Sequence, residues 1–495
     1  MEFGIASNLE KRKKADLLVL PYWKGKNKPE GAATISKAME KCSSGPIQAN
    51  DFTGKESEII IVYDETFPEK RVALLGLGEK EKVTTEKLRR AYCSLTKTCR
   101  QKKIQDINLV LPTVASMDHK GIIRGVCEGL LLANYAFDQL KNHSLKDSPT
   151  VLLTKVTLIG ASQHDLDQAK KYAGIAEGVY FTRDLVNGNA DEVTPQHLAA
   201  VARGLAKTFP NIKATIFDKK RIEKEKMGLL LAVARGSAHD PAFIVLEYKG
   251  DPMSKEHTVI VGKGVTYDTG GLNLKPTGSM ETMKCDMGGA ATAFGVILAA
   301  STTGLPVNVT AVVPATENAM SALSYKPGDV YKSLVGKTVE IGNTDAEGRL
   351  ILADALAYTC KHLKPTRIID FATLTGAIDH ALGAETTGLM SNDDALAEEL
   401  LKAGNETYER LCRLPLYEEY RDQLKSEIAD IRNIGGKGAG SITAAKFLEE
   451  FVDKKVPWAH CDIASTAFLA EARRYHPKHA TGIGVRLMMQ FLEQI

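Results

Sequence analysis

A chain of 495 residues, 44% hydrophobic and 25% charged, has the composition of a globular protein, and its length allows roughly two to four domains. Its 64 basic and 61 acidic residues leave a formal charge of +3, which excludes a strong field for nucleic acid or an anionic membrane surface. Eight cysteines without a CxxC pair indicate neither a zinc finger nor a disulfide framework, and a reducing cytoplasm fits best.

The basic residues Lys11, Arg12, Lys13 and Lys14 precede an apolar run, 15–21, that contains Asp16 and is too short for a signal peptide. No stretch reaches the roughly 18 apolar residues that span a bilayer, so no membrane partner is expected. Short apolar runs then alternate with helical patterns, the signature of an α/β protein. Strands are expected at 17–20, 59–63, 72–75, 107–111 and 151–159, with helices at 86–100 and 120–140. This block, 1–165, holds no cluster of metal-type ligands and reads as an assembly or regulatory domain. A linking helix is expected within 166–190. The block 191–495 resumes the alternation, with strands at 242–247, 258–261, 307–313, 338–341, 367–371 and 460–463 and helices at 289–300, 349–362, 395–403, 442–452 and 482–492. The expected architecture is therefore two α/β domains, a smaller N-terminal one and a larger C-terminal catalytic one whose central mixed sheet is flanked by helices.

Two Gly-rich stretches carry the chemistry. Val261-Gly262-Lys263-Gly264-Val265-Thr266-Tyr267-Asp268-Thr269-Gly270-Gly271 is followed by Lys275 and by Met283-Lys284-Cys285-Asp286-Met287-Gly288-Gly289. Its counterpart is Gly342-Asn343-Thr344-Asp345-Ala346-Glu347-Gly348-Arg349-Leu350. Both begin just after an expected strand, where open α/β sheets collect ligands. Asp345 and Glu347 lie two apart and would point to one side of an extended segment. With Asp268 and Asp286 they make an oxygen-rich set that suits Zn²⁺, Mn²⁺ or Mg²⁺. Converging without cations, these carboxylates would repel and be pushed toward protonation; two dications remove that problem. Lys263 is open to two readings, a charge partner for a carboxylate or an amine whose pKa falls far enough to bind metal. Lys275 and Arg349 stay cationic, placed to stabilise an oxyanion and to hold an anion.

The octapeptide 343–350 resembles the signature of the leucyl aminopeptidases, also called cytosol aminopeptidases. The resemblance extends through 261–289, Ala372-Thr373-Leu374-Thr375-Gly376-Ala377 and Gly438-Ala439-Gly440-Ser441-Ile442-Thr443-Ala444-Ala445. It implies two divalent metal ions, Mn²⁺ or Zn²⁺: Asp268 and Glu347 bridge both, Asp345 completes the more exchangeable site, and Lys263 with Asp286 completes the tighter one. By the same resemblance Lys275 binds the scissile carbonyl oxygen, and Arg349 holds a bicarbonate that acts as general base. Met283, Thr373, Gly376 and Ala464 would line an apolar slot for leucine-like side chains. The resemblance further implies peptide substrates with a free N-terminus, a cytoplasmic homohexamer, and in some members a secondary DNA-binding role. Two positions depart from the family pattern: 187–191 replaces an Asn- and Pro-rich segment, and Ser465 stands where Gly is usual.

Other signals read as structure. The Gly-rich run 435–441 lacks the GxxxxGK[ST] spacing of a phosphate loop and reads as a turn near the site. Cys285 reads as a core thiol. The eleven histidines form no HExxH helix. The basic runs 11–14 and 219–226 are candidate DNA-binding patches whose plainer reading is a solvated surface.

Overall fold

A computed structural model describes residues 1–31, 37–147 and 149–495. The chain divides into two compact units, Met1–Ala176 with Ala472–Pro477, and Glu177–Glu471 with Lys478–Ile495. The division falls inside the helix Gln163–Asn187, and six residues from far along the chain, Ala472–Pro477, group with the first unit.

The first unit is built on strands β1 (Glu2–Ala6), β2 (Leu17–Tyr22), β3 (Ile59–Tyr63), β4 (Arg71–Gly76), β5 (Asp106–Val110) and β6 (Lys155–Ile159), in the order β1-β6-β5-β2-β4-β3. All pairs are parallel except the edge pair β3 with β4. β2 is buried along its whole length, as a central strand covered on both faces must be. Two of the expected bounds in this unit move by four residues or more, and Asn134 joins the segment between them. The helix expected over 120–140 ends at Leu132, and the strand expected from 151 begins at Lys155. Between them the Asn134 side chain donates to Leu153 O (2.8 Å) and accepts from Leu153 N (2.9 Å). Leu153 thus spends its backbone groups on an amide and has none left for a ladder.

The second unit carries a mixed sheet. Its strands are β7 (Ile212–Phe217), β8 (Ala242–Lys249), β9 (Thr258–Gly262), β10 (Gly264–Asp268), β11 (Asn308–Asn318), β14 (Arg367–Ala372), β15 (Thr387–Ser391), β16 (Leu411–Arg413) and β18 (Trp458–Asp462), and a separate small sheet holds β12 (Val330–Lys332), β13 (Thr338–Glu340) and β17 (Ile431–Arg432). The main order is β16-β15-β18-β14-β9-β11-β8-β7, with β10 also paired to β11. β18, β14, β9, β11 and β10 run parallel to one another, so their carboxyl ends share one edge. β14 and β18 are also cross-linked by side chains, since Asp370 accepts from Trp458 Nε1 (2.7 Å) and sits 2.5 Å from His460 Nδ1.

Helices pack on this sheet. Gly288–Thr303 and Glu347–His362 are buried along most of their length and nearly lack amphipathic contrast, as core helices do. The stretch Met283–Thr303 is in fact long and apolar enough to cross a membrane by length and composition, contrary to the expectation that no stretch would be; 83% of its apolar window is buried inside the protein. A core of Leu350, Ile351, Phe243, Tyr358, Phe447 and Trp458 among others fills the space beneath.

Candidate active site

The parallel strands deliver the site at their carboxyl edge, where open α/β sheets bind ligands. Lys263 links β9 to β10, Asp268 ends β10, Asn318 ends β11, Thr373 follows β14, and Asp462 ends β18, two residues before Ala464. Asp286 lies in the 3₁₀ turn Met283–Met287, which Met283 opens. Asp345, Glu347 and Arg349 come from elsewhere. They follow β13 of the small sheet, and Glu347 is the first residue of the helix Glu347–His362. The segment 343–347 is therefore a turn into a helix rather than an extended segment; the two carboxylates face the site because the turn, rather than a period of two, aims them.

Two lysines each bridge two carboxylates. Lys263 Nζ is 2.8 Å from Asp286 Oδ2 and 2.8 Å from Glu347 Oε1, and donates to Thr373 O at 2.9 Å. Lys275 Nζ is 2.8 Å from Asp268 Oδ2 and 2.6 Å from Asp345 Oδ1. Ligand oxygens of Asp268, Asp286 and Glu347 all lie within 4.8 Å of one another. Lys263, Asp268, Asp286 and Glu347 are buried, whereas Lys275 and Asp345 are half-buried. Close approach depends on glycine: a Cβ on Gly348 would stand 2.6 Å from Lys263 Cε, and Gly270 adopts φ +84° beside Asp345.

The charges do not balance. Burial and the neighbouring Glu347 push the Asp268 carboxyl up to about 6 against the pull of Lys275 and Lys263. Burial also raises Asp286 well above the carboxylate range and raises Asp345. Burial alone would lower Lys263, but Asp286, Glu347 and Asp268 outweigh it and hold the amine protonated. In this geometry Lys263 is a charge partner. The donor set nevertheless fits divalent cations. It is oxygen with one amine, it carries more carboxylates than ammonium groups, and Asp286 Oδ2 and Asp345 Oδ1 are buried oxygens that touch lysines without hydrogen-bond alignment.

Arg349 stands beside this cluster. Its Nη1 donates to Asn433 O (2.8 Å), while its buried Nε has no hydrogen-bond partner among the described residues. Burial pushes its pKa down to about 10, against Glu347 and Asp462, so the guanidinium remains cationic at neutral pH. Of the expected wall residues, Thr373 donates to Asp286 Oδ1 (2.7 Å) and so adjoins the cluster. Gly376 opens the helix Gly376–Leu382 with no atom within 4 Å of where its Cβ would be. Ala464 is joined to the Thr373–Gly376 turn through Asp462, which accepts from Leu374 N (3.1 Å), Ala464 N (3.2 Å) and Thr375 Oγ1 (2.7 Å). Met283 is half-buried at the start of the turn that carries Asp286.

Several residues that no motif announced also stand here. Asn433 is buried and clasps the signature turn: its Oδ1 accepts from Gly342 N (2.8 Å) and its Nδ2 donates to Asn343 O (2.7 Å). Tyr325 donates to Thr344 O (2.7 Å), and Asn318 contacts the carboxylates themselves. Cys285 is a buried thiol whose pKa burial pushes up to about 12, which suits a core role. The Gly-rich run ends at a tight turn with Ala439 left-handed, and Ser441 beyond it lies 2.7 Å from Thr375 Oγ1.

Fold and site together define a class, the two-unit α/β enzymes with a carboxylate–lysine cluster of metal-ligand chemistry. The family model of the cytosol aminopeptidase catalytic domain matches residues 180–489, and that of the family's N-terminal domain matches 19–144. A probable cytosol aminopeptidase of Protochlamydia amoebophila is 56% identical over 100% of this chain and 99% of its own length, and one of Chlamydia abortus is 50% identical over 99% of each. Among solved structures, a tomato leucine aminopeptidase mutant superposes with a TM-score of 0.87 at 30% identity, covering 100% of this chain and 97% of that one. The bottromycin maturation enzyme BotP in complex with Mn does so at 0.86 and 31%, covering 97% and 99%. The chain belongs to the cytosol aminopeptidase family and is a peptidase.

Proposed function

We propose that this chain is a metal-dependent aminopeptidase that removes the N-terminal residue of peptides, leucine or another apolar residue first, in cytosolic peptide turnover. The observation that carries the reading is the convergence of Asp268, Asp286, Asp345 and Glu347 on only two lysines. Lys263, Asp268, Asp286, Asp345 and Glu347 are the residues that would hold two divalent ions, Mn²⁺ or Zn²⁺. Such ions supply Lewis-acid polarisation of a carbonyl and activation of water at neutral pH.

The chain's own groups do the rest. Lys275, half-buried and cationic, donates to the scissile carbonyl oxygen and to the oxyanion as charge develops there, a contribution of roughly 3 kcal/mol for a well-placed donor. The free Nε of Arg349 would hold an anion, bicarbonate by family resemblance, which would supply general-base chemistry beside the cluster. One of the two ions would take the neutral α-amine of the substrate, which would restrict cleavage to the first peptide bond. Thr373, Gly376, Ala464 and Met283 form the wall for the N-terminal side chain, the open space at Gly376 leaving room for a branched aliphatic group.

The test is hydrolysis of a leucyl amide by chelator-stripped protein, with Zn²⁺ or Mn²⁺ returned, beside Asp345→Ala. Restored activity in the natural chain and none in the variant is expected. Activity in stripped protein, or full activity in the variant, would refute the two-metal reading. A homohexamer is proposed from family resemblance and from the exposed apolar side chains Leu272, Leu274, Met320 and Leu323 on loops that adjoin the site; sedimentation analysis checks it. The basic runs offer DNA less. Arg12 is paired with buried Glu69 (2.6 Å), Lys219 with Asp240 (3.1 Å), and Arg221 covers the Phe217 ring.

A further inference from the structure

Asn318 is fully buried at the carboxyl end of β11, and its carboxamide touches residues from three separate parts of the site. Nδ2 donates to Asp268 Oδ1 (2.8 Å) and to Thr344 O (3.0 Å), and lies 3.4 Å from Glu347 Oε2. All three neighbours are acceptors. Turning the amide over would set Oδ1 against two carboxylates and a carbonyl, so the network fixes which end is nitrogen. Oδ1 is left buried without a hydrogen-bond partner among the described residues.

The consequence is a division of labour within each carboxylate. Asp268 Oδ1 accepts from Asn318 and from Gly270 N (2.9 Å), while Oδ2 faces Lys275 at 2.8 Å. Glu347 Oε2 faces Asn318, while Oε1 faces Lys263 at 2.8 Å. Asn318 thus occupies the back of both groups and leaves one oxygen of each turned into the cluster. A neutral donor achieves this without adding charge, where a lysine or arginine would compete with a cation for the same electrons.

We infer that Asn318 is a positioning residue for cation binding: it holds Asp268 and Glu347 as a pair facing the cluster. The inference rests on the proposed metal reading and adds to it a residue that is not itself a ligand. Second-shell donors of this kind are worth about 10–100-fold in metal affinity.

The experiment is calorimetric titration of Mn²⁺ into the chelator-stripped full chain, comparing the natural sequence, Asn318→Ala and Thr344→Ala. Thr344 donates to Gly270 O (2.6 Å) and packs the same turn without touching a carboxylate through its side chain, so it reports general loosening. The expected result is about 10–100-fold weaker Mn²⁺ binding in Asn318→Ala, a smaller loss in Thr344→Ala, and far-ultraviolet circular dichroism unchanged in both. If Asn318→Ala fails to fold, Asn318→Ser, which keeps a hydroxyl donor, takes its place with an intermediate loss expected. Unchanged affinity in the Asn318 variant, or an equal loss in both variants, would overturn the positioning role alone. No Mn²⁺ uptake by the natural sequence would overturn the metal reading and this inference with it.

Discussion

Each unit of this protein buries a cluster of charges, and the two clusters are built on opposite accounts. In the first unit Arg89, fully buried, bonds Glu86 and lies 2.7 Å from Glu128, which Arg124 also contacts at 3.2 Å; Arg90 takes the other oxygen of Glu86 at 2.8 Å. Tyr475, from the segment Ala472–Pro477, donates to Glu86 (3.2 Å) and lies under the Arg89 guanidinium. There every acid has at least one arginine, and the pairing raises the Arg89 pKa despite burial. In the second unit Asp268, Asp286, Asp345 and Glu347 share Lys263 and Lys275, and the three aspartates are pushed toward protonation while the lysines hold Glu347 ionised. A neutralised buried network holds a fold together; one left short of positive charge is arranged to receive it.

The contrast breaks most visibly by removing one charge from each cluster. Arg89→Ala removes the fully buried partner that Glu86 and Glu128 share, leaving them Arg90 and Arg124, and should cost about 3 kcal/mol in urea unfolding, with kcat/KM of the surviving folded protein near that of the natural chain. Asp345→Ala relieves a surplus and should leave the urea midpoint of chelator-stripped protein unchanged or higher, while kcat/KM falls by at least about 100-fold. Matching stability losses in the two variants would erase the distinction.

Cation linkage sharpens the same comparison at a smaller magnitude. At a free Mn²⁺ concentration 100 times its Kd, the unfolding free energy should rise by about 2.7 kcal/mol. Arg89→Ala should show the same increment from its lower baseline, whereas Asp345→Ala should show less. Differential scanning fluorimetry with and without chelator measures both.

A third way of burying charge lies between these two. Asp354, on the helix that begins at Glu347, makes no salt bridge among the described residues and instead accepts from Leu229 N (2.9 Å), Leu230 N (3.0 Å) and Leu334 N (2.8 Å). Burial pushes its pKa up to about 7, with those N–H groups pulling the other way. The folded value stands above the ordinary aspartate value of about 3.9, so protonation favours the fold. Its contribution to stability is complete below about pH 4 and is lost as pH rises through about 7, at no more than about 1.4 kcal/mol per pH unit. Asp354→Asn should flatten that part of the stability profile measured by urea unfolding; an unaltered slope would show that Asp354 is already ionised throughout.

The sequence made the charged half of the site legible and left the neutral half hidden, for one physical reason. Carboxylates and lysines in Gly-rich loops stand out because few other roles bring them together, so Lys263, Asp268, Lys275, Asp286, Asp345, Glu347 and Arg349 could all be nominated. Asn318 and Asn433 carry no motif, and their meaning lies in partners far along the chain, Asp268 fifty residues away in one case and Asn343 ninety in the other. The same holds for the fold. Contiguous apolar runs such as β9 and β14 were readable, whereas β7 alternates and is only partly covered, and β1 is a short edge strand interrupted by Gly4. The aim of Asp345 and Glu347 had to come from the structure, since a turn into a helix and an extended strand offer the same spacing.

The finest distinction lies within the proposed substrate wall. Ser465 is buried next to Ala464, and its Oγ has no hydrogen-bond partner among the described residues. A buried hydroxyl without a partner is a cost the fold tolerates, and it also takes up space that a glycine would leave open. Ser465→Gly should therefore enlarge the slot and shift kcat/KM toward bulkier N-terminal residues, methionine or phenylalanine over leucine, by about tenfold, the low end of what one methylene is worth in an apolar pocket. The variant should leave Mn²⁺ affinity untouched, because Ser465 contacts no carboxylate of the cluster. A preference that moves together with cation affinity would mean instead that wall and metal site are mechanically one, through Asp462 and the Thr373–Gly376 turn that also carries the bond from Thr373 to Asp286.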